Sequence, residues 1–350
     1  GLIMDSNFTN NSADVNGGAV SWSGLFGKVQ DSRFISNNAS NGGAIFLEHC
    51  AHGDKIEVVV TDSYFENNTA TFDGGAINWN NGRIVDMTGL ELISNTANRG
   101  GAIFTNGTDG RIIASYFQYN EAILGGGLYS NNNDLRTIGS EFDHNNAVQG
   151  GAAYIKGNNG LISESNFYYN NATYTLRIDT GRDKNKTKGG AIYIAGENNI
   201  IEASKFYNNT ANATNKTAVI VQTTPGLLGA YLDVTGVDDD GLGGAIYVGA
   251  NNNKLSSNEF DYNVARNGSA VYNNASNTYF SDDLFIKNQA WSYVLEVNGT
   301  NAAHCKDGII NKTYYGYDVN IKVYNYFGGD NIVNGIYNAG DVSDVTFNSV

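Results

Sequence analysis

Three groups of residues carry side chains suited to chemistry. The first is His49-Cys50-Ala51-His52, two imidazoles and a thiol in one short run. Those donor types suit zinc or another soft metal. The second group lies in two irregular stretches, 173–188 and 212–242. One supplies Tyr174, Arg177, Asp179, Arg182 and Asp183; the other supplies Tyr231, Asp233, Asp238, Asp239 and Asp240. Rings, guanidinium groups and carboxylates on neighbouring loops make either a self-paired charge cluster or a ligand-contacting patch. Calcium fits the aspartate run poorly, because three consecutive carboxylates lack the alternate-position spacing of a calcium loop. The third group is the Asn-x-Ser/Thr triplets at Asn38, Asn67, Asn106, Asn171, Asn208, Asn267, Asn298 and Asn311, acceptors for glycans if the chain is exported. No cofactor is required by any of these groups; calcium and zinc are the candidates they admit.

The elements that position these residues follow from a repeat. Phe8, Phe34, Phe65, Leu92, Phe117, Phe142, Phe167, Phe206, Phe260 and Phe285 serve as anchors, with spacings of 26, 31, 27, 25, 25, 25, 39, 54 and 25. Three residues after each anchor stands Asn: Asn11, Asn37, Asn68, Asn95, Asn120, Asn145, Asn170, Asn209, Asn263 and Asn288. Five after it stands Ala, from Ala13 to Ala290. Ser usually stands two before it, as at Ser32, Ser115 and Ser204, and an apolar residue five before it. A Gly-Gly-Ala-aliphatic block follows, as in Gly42-Gly43-Ala44-Ile45.

Short alternating runs of β-branched and aromatic residues between Asn/Gly corners mean strands rather than helices. A unit of about 25 residues fits three short strands and three turns, one coil of a parallel β-helix. Stacking coils at about 4.8 Å sets equivalent residues above one another. Phe34, Phe65, Phe117, Phe142, Phe167, Phe206 and Phe260 then form an interior ladder, and the asparagines form a corner ladder. The expected fold is all-β, a right-handed parallel β-helix of about ten coils over residues 1–295. Loops are inserted near 47–56, 173–188 and 212–242, and 296–350 forms irregular coils or a cap around Val342, Val345 and Phe347. A leucine-rich horseshoe lacks its leucine signature here, and propeller blades need longer units.

Composition narrows the function. The net charge of −14 leaves no basic footprint for nucleic acid. No apolar run is long enough to span a bilayer as a helix. The first residues already read as repeat, so the chain is expected to be a processed or excised segment. The two cysteines lie on the order of 40 Å apart along the axis, which separates Cys50 from the His304-Cys305 pair in a straight monomer.

The paired Phe-x-x-Asn and Gly-Gly-Ala-Ile motifs resemble the repeats of chlamydial polymorphic outer membrane proteins. The run Phe-Glu-Asn-Asn-Thr-Ala at 65–70 and Phe-Tyr-Asn-Asn-Thr-Ala at 206–211 is still more similar to adhesin-like surface proteins of methanogenic archaea. The resemblance covers roughly residues 1–295. It implies an extracellular or cell-surface adhesin attaching to other cells, glycans or surface proteins, and it supplies no catalytic signature. Two rivals stand beside it. One is a filament or surface-layer subunit built by end-to-end stacking of coils. The other is a polysaccharide lyase or hydrolase on the same scaffold, which needs clustered carboxylates along a groove. The sequence shows no stacked carboxylate ladder, His144 reads as an exposed corner residue, and the expectation is that the chain is not an enzyme.

Overall fold

The computed structural model describes residues 1–24, 26–48, 58–83, 85–173, 186–212, 220–223, 230–233, 241–265, 268–297, 309–314, 317–327, 336–338 and 342–348. It is a parallel β-helix. The coil at 111–135 shows how the sequence makes one turn. Strand Arg111–Ile113 ends at Ala114 (φ 47°), strand Tyr116–Gln118 at Tyr119 (φ 53°), and Gly125 (φ 65°) precedes Leu128–Ser130. Asp134 (φ 60°) closes the turn. Left-handed residues at fixed stations therefore bend an extended path back on itself.

Within the regular coils the strands pair in parallel with their equivalents in the neighbouring coils. Phe117 lies between Leu92 and Phe142, and Leu128 between Ile103 and Ala153. Among the described residues an anchor face of twenty short strands and a Gly-Gly face of ten run the length of the rod. A narrow corner at the repeated Ala joins them. The anchor face thus holds two short strands per coil, split by the left-handed residue three before the anchor; with the strand after the Gly-Gly block they make the three expected in each coil. Among the described residues no helix is long and apolar enough to cross a membrane.

Side chains alternate in and out of the tube. Inside, Phe34, Phe65, Phe117, Phe142, Phe167, Phe206 and Phe260 are fully buried. Their rings stack at 4.3–4.9 Å, interrupted once by Leu92. Full burial of such a side chain is worth roughly 1.5–3 kcal/mol. The Gly-Gly corner is set by backbone crowding. Gly42 has φ 60°, and a Cβ on Gly43 would lie 2.2 Å from the Gly75 carbonyl oxygen.

The asparagine ladder is continuous. Each Asn donates its side-chain N–H to Oδ1 of the Asn one coil on, at 2.8–3.1 Å from Asn11 through Asn288. That same Oδ1 also accepts the preceding Asn's backbone N–H, as from Asn37 to Asn68 at 2.9 Å. From Asn37 onward the second amide proton goes to the anchor carbonyl of the coil before, as from Asn68 to Phe34 at 2.9 Å. All four capacities of a buried amide are used, which is why Asn and no other residue recurs there. A second ladder uses Ser Oγ: it donates to the carbonyl two residues back and accepts an N–H from the preceding coil, as at Ser32 and Ser63. It ends in Asn258 and Asp283, where Oδ1 of Asp283 takes both the N–H and the side-chain N–H of Asn258 at 2.9 Å.

The links Asn170–Asn209 and Asn209–Asn263 keep the same geometry across sequence gaps of 39 and 54 residues. Both insertions therefore leave an unbroken coil. Beyond Asn288 the backbone strand Gln289–Val297 pairs antiparallel with Tyr317–Phe327, which pairs antiparallel with Ile309–Tyr314. The chain then rejoins the rod: Ile336–Asn338 lies beside Val271–Asn273, and Val342–Asn348 beside Thr278–Ile286.

Candidate functional site: an aromatic row at a left-handed corner

Most of the residues that the sequence singled out for ligands and metals fall outside the described residues. These are His49, Cys50, His52, Tyr174, Arg177, Asp179, Arg182, Asp183, Asp238, Asp239 and Asp240, together with the sequons Asn267 and Asn298. Tyr231 and Asp233 lie on strand Ala230–Asp233, which pairs antiparallel with Ile220–Thr223 as a ribbon within the second insertion. The roots of the two insertions sit one coil apart. Ala172 pairs with Ala211 on entry, and Lys188 bridges to Leu242 on return. Thr187 ties the roots together, its hydroxyl donating to the Asn212 carbonyl and accepting the Gly241 N–H at 3.0 Å. The first insertion near 47 leaves the coil only after strand Ile45–Glu48. Among the described residues no three His, Cys, Asp or Glu side chains gather to hold a metal ion.

The sequons divide by burial. Asn38 and Asn67 are exposed beside the buried ladder residues Asn37 and Asn68. Asn106 is engaged in an outer amide ladder between Asn80 and Asn131, at 3.0 and 2.7 Å, and Asn171 accepts from Asn212 at 2.9 Å. Asn208 is half-buried, and Asn311 lies on strand Ile309–Tyr314.

A different feature stands out. The station two residues after the anchor is left-handed in every coil: Asn10, Ser36, Asn67, Ser94, Tyr119, His144, Tyr169, Asn208, Tyr262 and Lys287 have φ between 46° and 56°. Asn tolerates this conformation because its short amide bonds locally; a bulky ring gains nothing from it. Yet tyrosines occupy it three times and stay exposed, Tyr119 at 53%, Tyr169 at 42% and Tyr262 at 37%. Strained stations filled with exposed aromatics point to use rather than to packing.

The rings form one row along the rod. Tyr119 and His144 lie 5.1 Å apart, tilted, and His144 stacks on Tyr169 at 4.9 Å. Where Asn208 interrupts the station, Tyr207 from the adjacent position fills in edge-on, 5.6 Å from Tyr169 and 5.8 Å from Tyr262. Lys287 closes the row, with Nζ 5.1 Å from the Tyr262 ring centre and donating to its hydroxyl at 2.9 Å. Beside the row, Asp143 gathers three partners: His144 Nδ1 at 2.6 Å, Gln118 Nε2 at 2.9 Å and the Tyr116 hydroxyl at 3.3 Å. Burial, then the charges of Asp143 and Glu141, push the Tyr116 hydroxyl up to about 12, so it remains a donor at neutral pH. His144 is the exposed corner residue expected from its station.

A second row lies on the outside of the Gly-Gly face: Phe104, Tyr129, Tyr154, Tyr193, Tyr247 and Tyr272, spaced 4.7–5.4 Å. These rings are largely covered. Arg99 lies over Phe104 and Tyr129 while its guanidinium grips Asp73 at 2.6 and 2.7 Å, and Lys188 lies over Tyr247. Desolvation raises the hydroxyls of Tyr129 and Tyr193 above their ordinary range. This row is packing for the outer surface, next to the roots of the insertions.

One expectation is corrected. Carboxylates do stack: Asp5, Asp31 and Asp62 hold the same left-handed corner in three successive coils, with φ of 48°, 47° and 48°. The station, three residues before each anchor, favours short side chains that bond locally. Asp31 and Asp62 line an open depression of about 480 Å³ with Arg33, Tyr64 and Glu91, and Arg33 lies over the Tyr64 ring at 4.4 Å.

With this geometry in hand, the comparison with known families becomes specific. Residues 5–21 and 62–78 match the Chlamydia polymorphic membrane protein repeat. The chain carries repeats of that type. Each matched segment runs from the left-handed corner before the anchor, through Phe and the ladder Asn, to the Gly-Gly block. The other coils make the same ladder hydrogen bonds, so the matched segments stand for a unit used along the rod. Neither a curated protein nor a solved structure matches the chain.

Proposed function

We propose that this chain is the β-helical rod of a cell-surface adhesin-like protein that attaches to other cells, glycans or surface proteins. The observation that carries the reading is the aromatic row from Tyr119 to Tyr262, kept exposed at stations where Asn or Ser serves the fold elsewhere. The repeat match supports surface placement, since the matching repeats belong to membrane proteins. The resemblance of 65–70 and 206–211 to archaeal adhesin-like proteins points the same way. The paired insertions, with Tyr174, Arg177, Asp179, Arg182, Asp183, Tyr231, Asp233 and the run Asp238–Asp240, form a second contact in this reading. The exposed sequons Asn38 and Asn67 are its first candidates for glycans. Purified chain is expected to bind whole microbial cells; no binding to any cell type sinks the proposal. Deleting 173–188 and 212–242 separates the row from the loops: retained binding assigns contact to the rod face, lost binding to the insertions.

A polysaccharide-cleaving role has one observation in its favour, the depression that combines Asp31, Asp62 and Glu91 with Arg33. Release of new sugar ends from a polysaccharide panel would establish that activity and displace attachment as the main role.

A further inference from the structure

We infer that the Tyr119 end of the row is a binding position for an uncharged sugar ring. The inference rests on the attachment reading and names its ligand class. Tyr119 meets the His144 ring, tilted, on one side only; among the described residues no second ring meets its other face. The stations that follow on that side are small: Ser94, Asn67 and Ser36, all held at φ 54–55°. The Ser94 N–H donates to the Gln118 carbonyl at 2.9 Å, which fixes the Ser94 station one coil below Tyr119. The stack therefore stops at a step, with one exposed ring face standing over a shelf of small polar residues.

A ring-shaped ligand on that shelf continues the stack one place further. The C–H face of a pyranose fits the open face of Tyr119, since aromatic faces attract the positive edges of C–H bonds. Its hydroxyls find Ser94, the exposed Asn67 amide, and Glu66, whose strand flanks that of Ile93. Charge selects among sugars. Glu66, Glu121 and Asp143 lie in the coils around the step, while Arg99 and Arg111 are already held by Asp73 and Asp86 at 2.6 and 2.8 Å. An acidic glycan, sulfated or uronic, meets repulsion from these carboxylates at the step; an uncharged glycan does not. The same field argues against nucleotides, whose stacking base brings phosphate with it.

The test measures binding of full-length chain to short linear oligomers of glucose, mannose, galactose and N-acetylglucosamine, with sulfated and uronic oligomers alongside. At least one neutral series is expected to bind, and the acidic ones not. Tyr119→Ala is expected to weaken that binding roughly five- to tenfold, the loss of about one stacked contact. Ser94→Tyr keeps Tyr119 and fills the shelf with the protein's own ring, at a station that already accepts Tyr one coil on; it is expected to abolish binding. Tyr279→Ala, an exposed ring outside the row on strand Thr278–Ile286, is expected to leave it unchanged, and thermal unfolding confirms that each variant is folded. Failure of every neutral oligomer to bind, tighter binding of acidic ones, or full affinity in folded Tyr119→Ala and Ser94→Tyr overturns the inference. Cell binding by the wild type that survives both substitutions overturns the sugar position while leaving the adhesin reading intact.

Discussion

The side-chain amide of Asn120 donates to Oδ1 of Asn145 at 2.9 Å and sends its other proton to the Leu92 carbonyl at 2.8 Å. Asn145 repeats the arrangement toward Asn170 and Phe117 at 3.0 and 2.9 Å. One residue type thus ties three consecutive coils, and each amide stands in for the next one's solvent.

Asn145→Ala strips partners from the Asn120 amide, the Phe117 carbonyl and Asn170 at once, all in a buried corner. A loss of roughly 3–5 kcal/mol is expected, larger than for a typical single hydrogen bond because several groups are orphaned together. Denaturant unfolding checks it. A cost below about 1 kcal/mol would show that the ladder is ornamental to stability.

Phe142 sits between Phe117 and Phe167 at 4.3 and 4.9 Å and is fully buried. Phe142→Ala is expected to cost about 3–5 kcal/mol through transfer and cavity terms. Phe142→Leu copies the choice already made at Leu92 and should cost under about 1.5 kcal/mol. Equal costs for the two would contradict the packing argument.

Gly126 faces backbone on every side, with a Cβ there 2.1 Å from the Gly151 carbonyl oxygen. Gly126→Ala forces neighbouring coils apart and is expected to destabilise by about 3 kcal/mol or more. Gly139→Ala is the informative contrast, since a Cβ there meets nothing within 4 Å and only its φ of 58° resists; its cost should be near 1 kcal/mol.

Asp283 closes the serine ladder as a buried carboxyl whose Oδ2 meets no partner among the described residues. Burial pushes its pKa up to about 6, against an ordinary value of 3.8, despite the two Asn258 donors on Oδ1. The folded state then holds a proton that the unfolded chain has released. Its stabilising contribution is complete below pH 3.8 and is lost as pH rises through about 6. The loss amounts to about 3 kcal/mol at most. Asp283→Asn supplies an amide where Asn258 already bonds the Ile201 carbonyl, and by register the matching acceptor is Leu255. The variant is expected to match the wild type near pH 4 and exceed it near pH 7.5 in unfolding midpoint. A wild type whose stability is flat across that range would refute the assignment.

The candidate site was partly legible from spacing. The station two after each anchor carries Asn or Ser where it is purely structural, so Tyr119, His144, Tyr169 and Tyr262 broke a pattern already in register. Spacing marks the substitution but not its exposure, which depends on side chains from neighbouring coils. The stacked corner of Asp5, Asp31 and Asp62 is not legible from recurrence, because its station varies among Asp, Gly, Ala, Glu and Ser along the chain.

What the sequence by itself determined was the coil and its register. A residue that bonds its own equivalent in the next coil must recur at one spacing, so Asn and Ala at every anchor, with Phe between, already specify a stack of parallel turns. What only the tertiary structure decided was how outward side chains meet across coils. Tyr119 and Tyr129 are both outward-facing in the repeat, yet one stays open to solvent and the other is covered by Arg99. That outcome depends on which side chains from neighbouring turns reach over them. Such contacts join residues about 25 or more positions apart, whose rotamers no local pattern encodes.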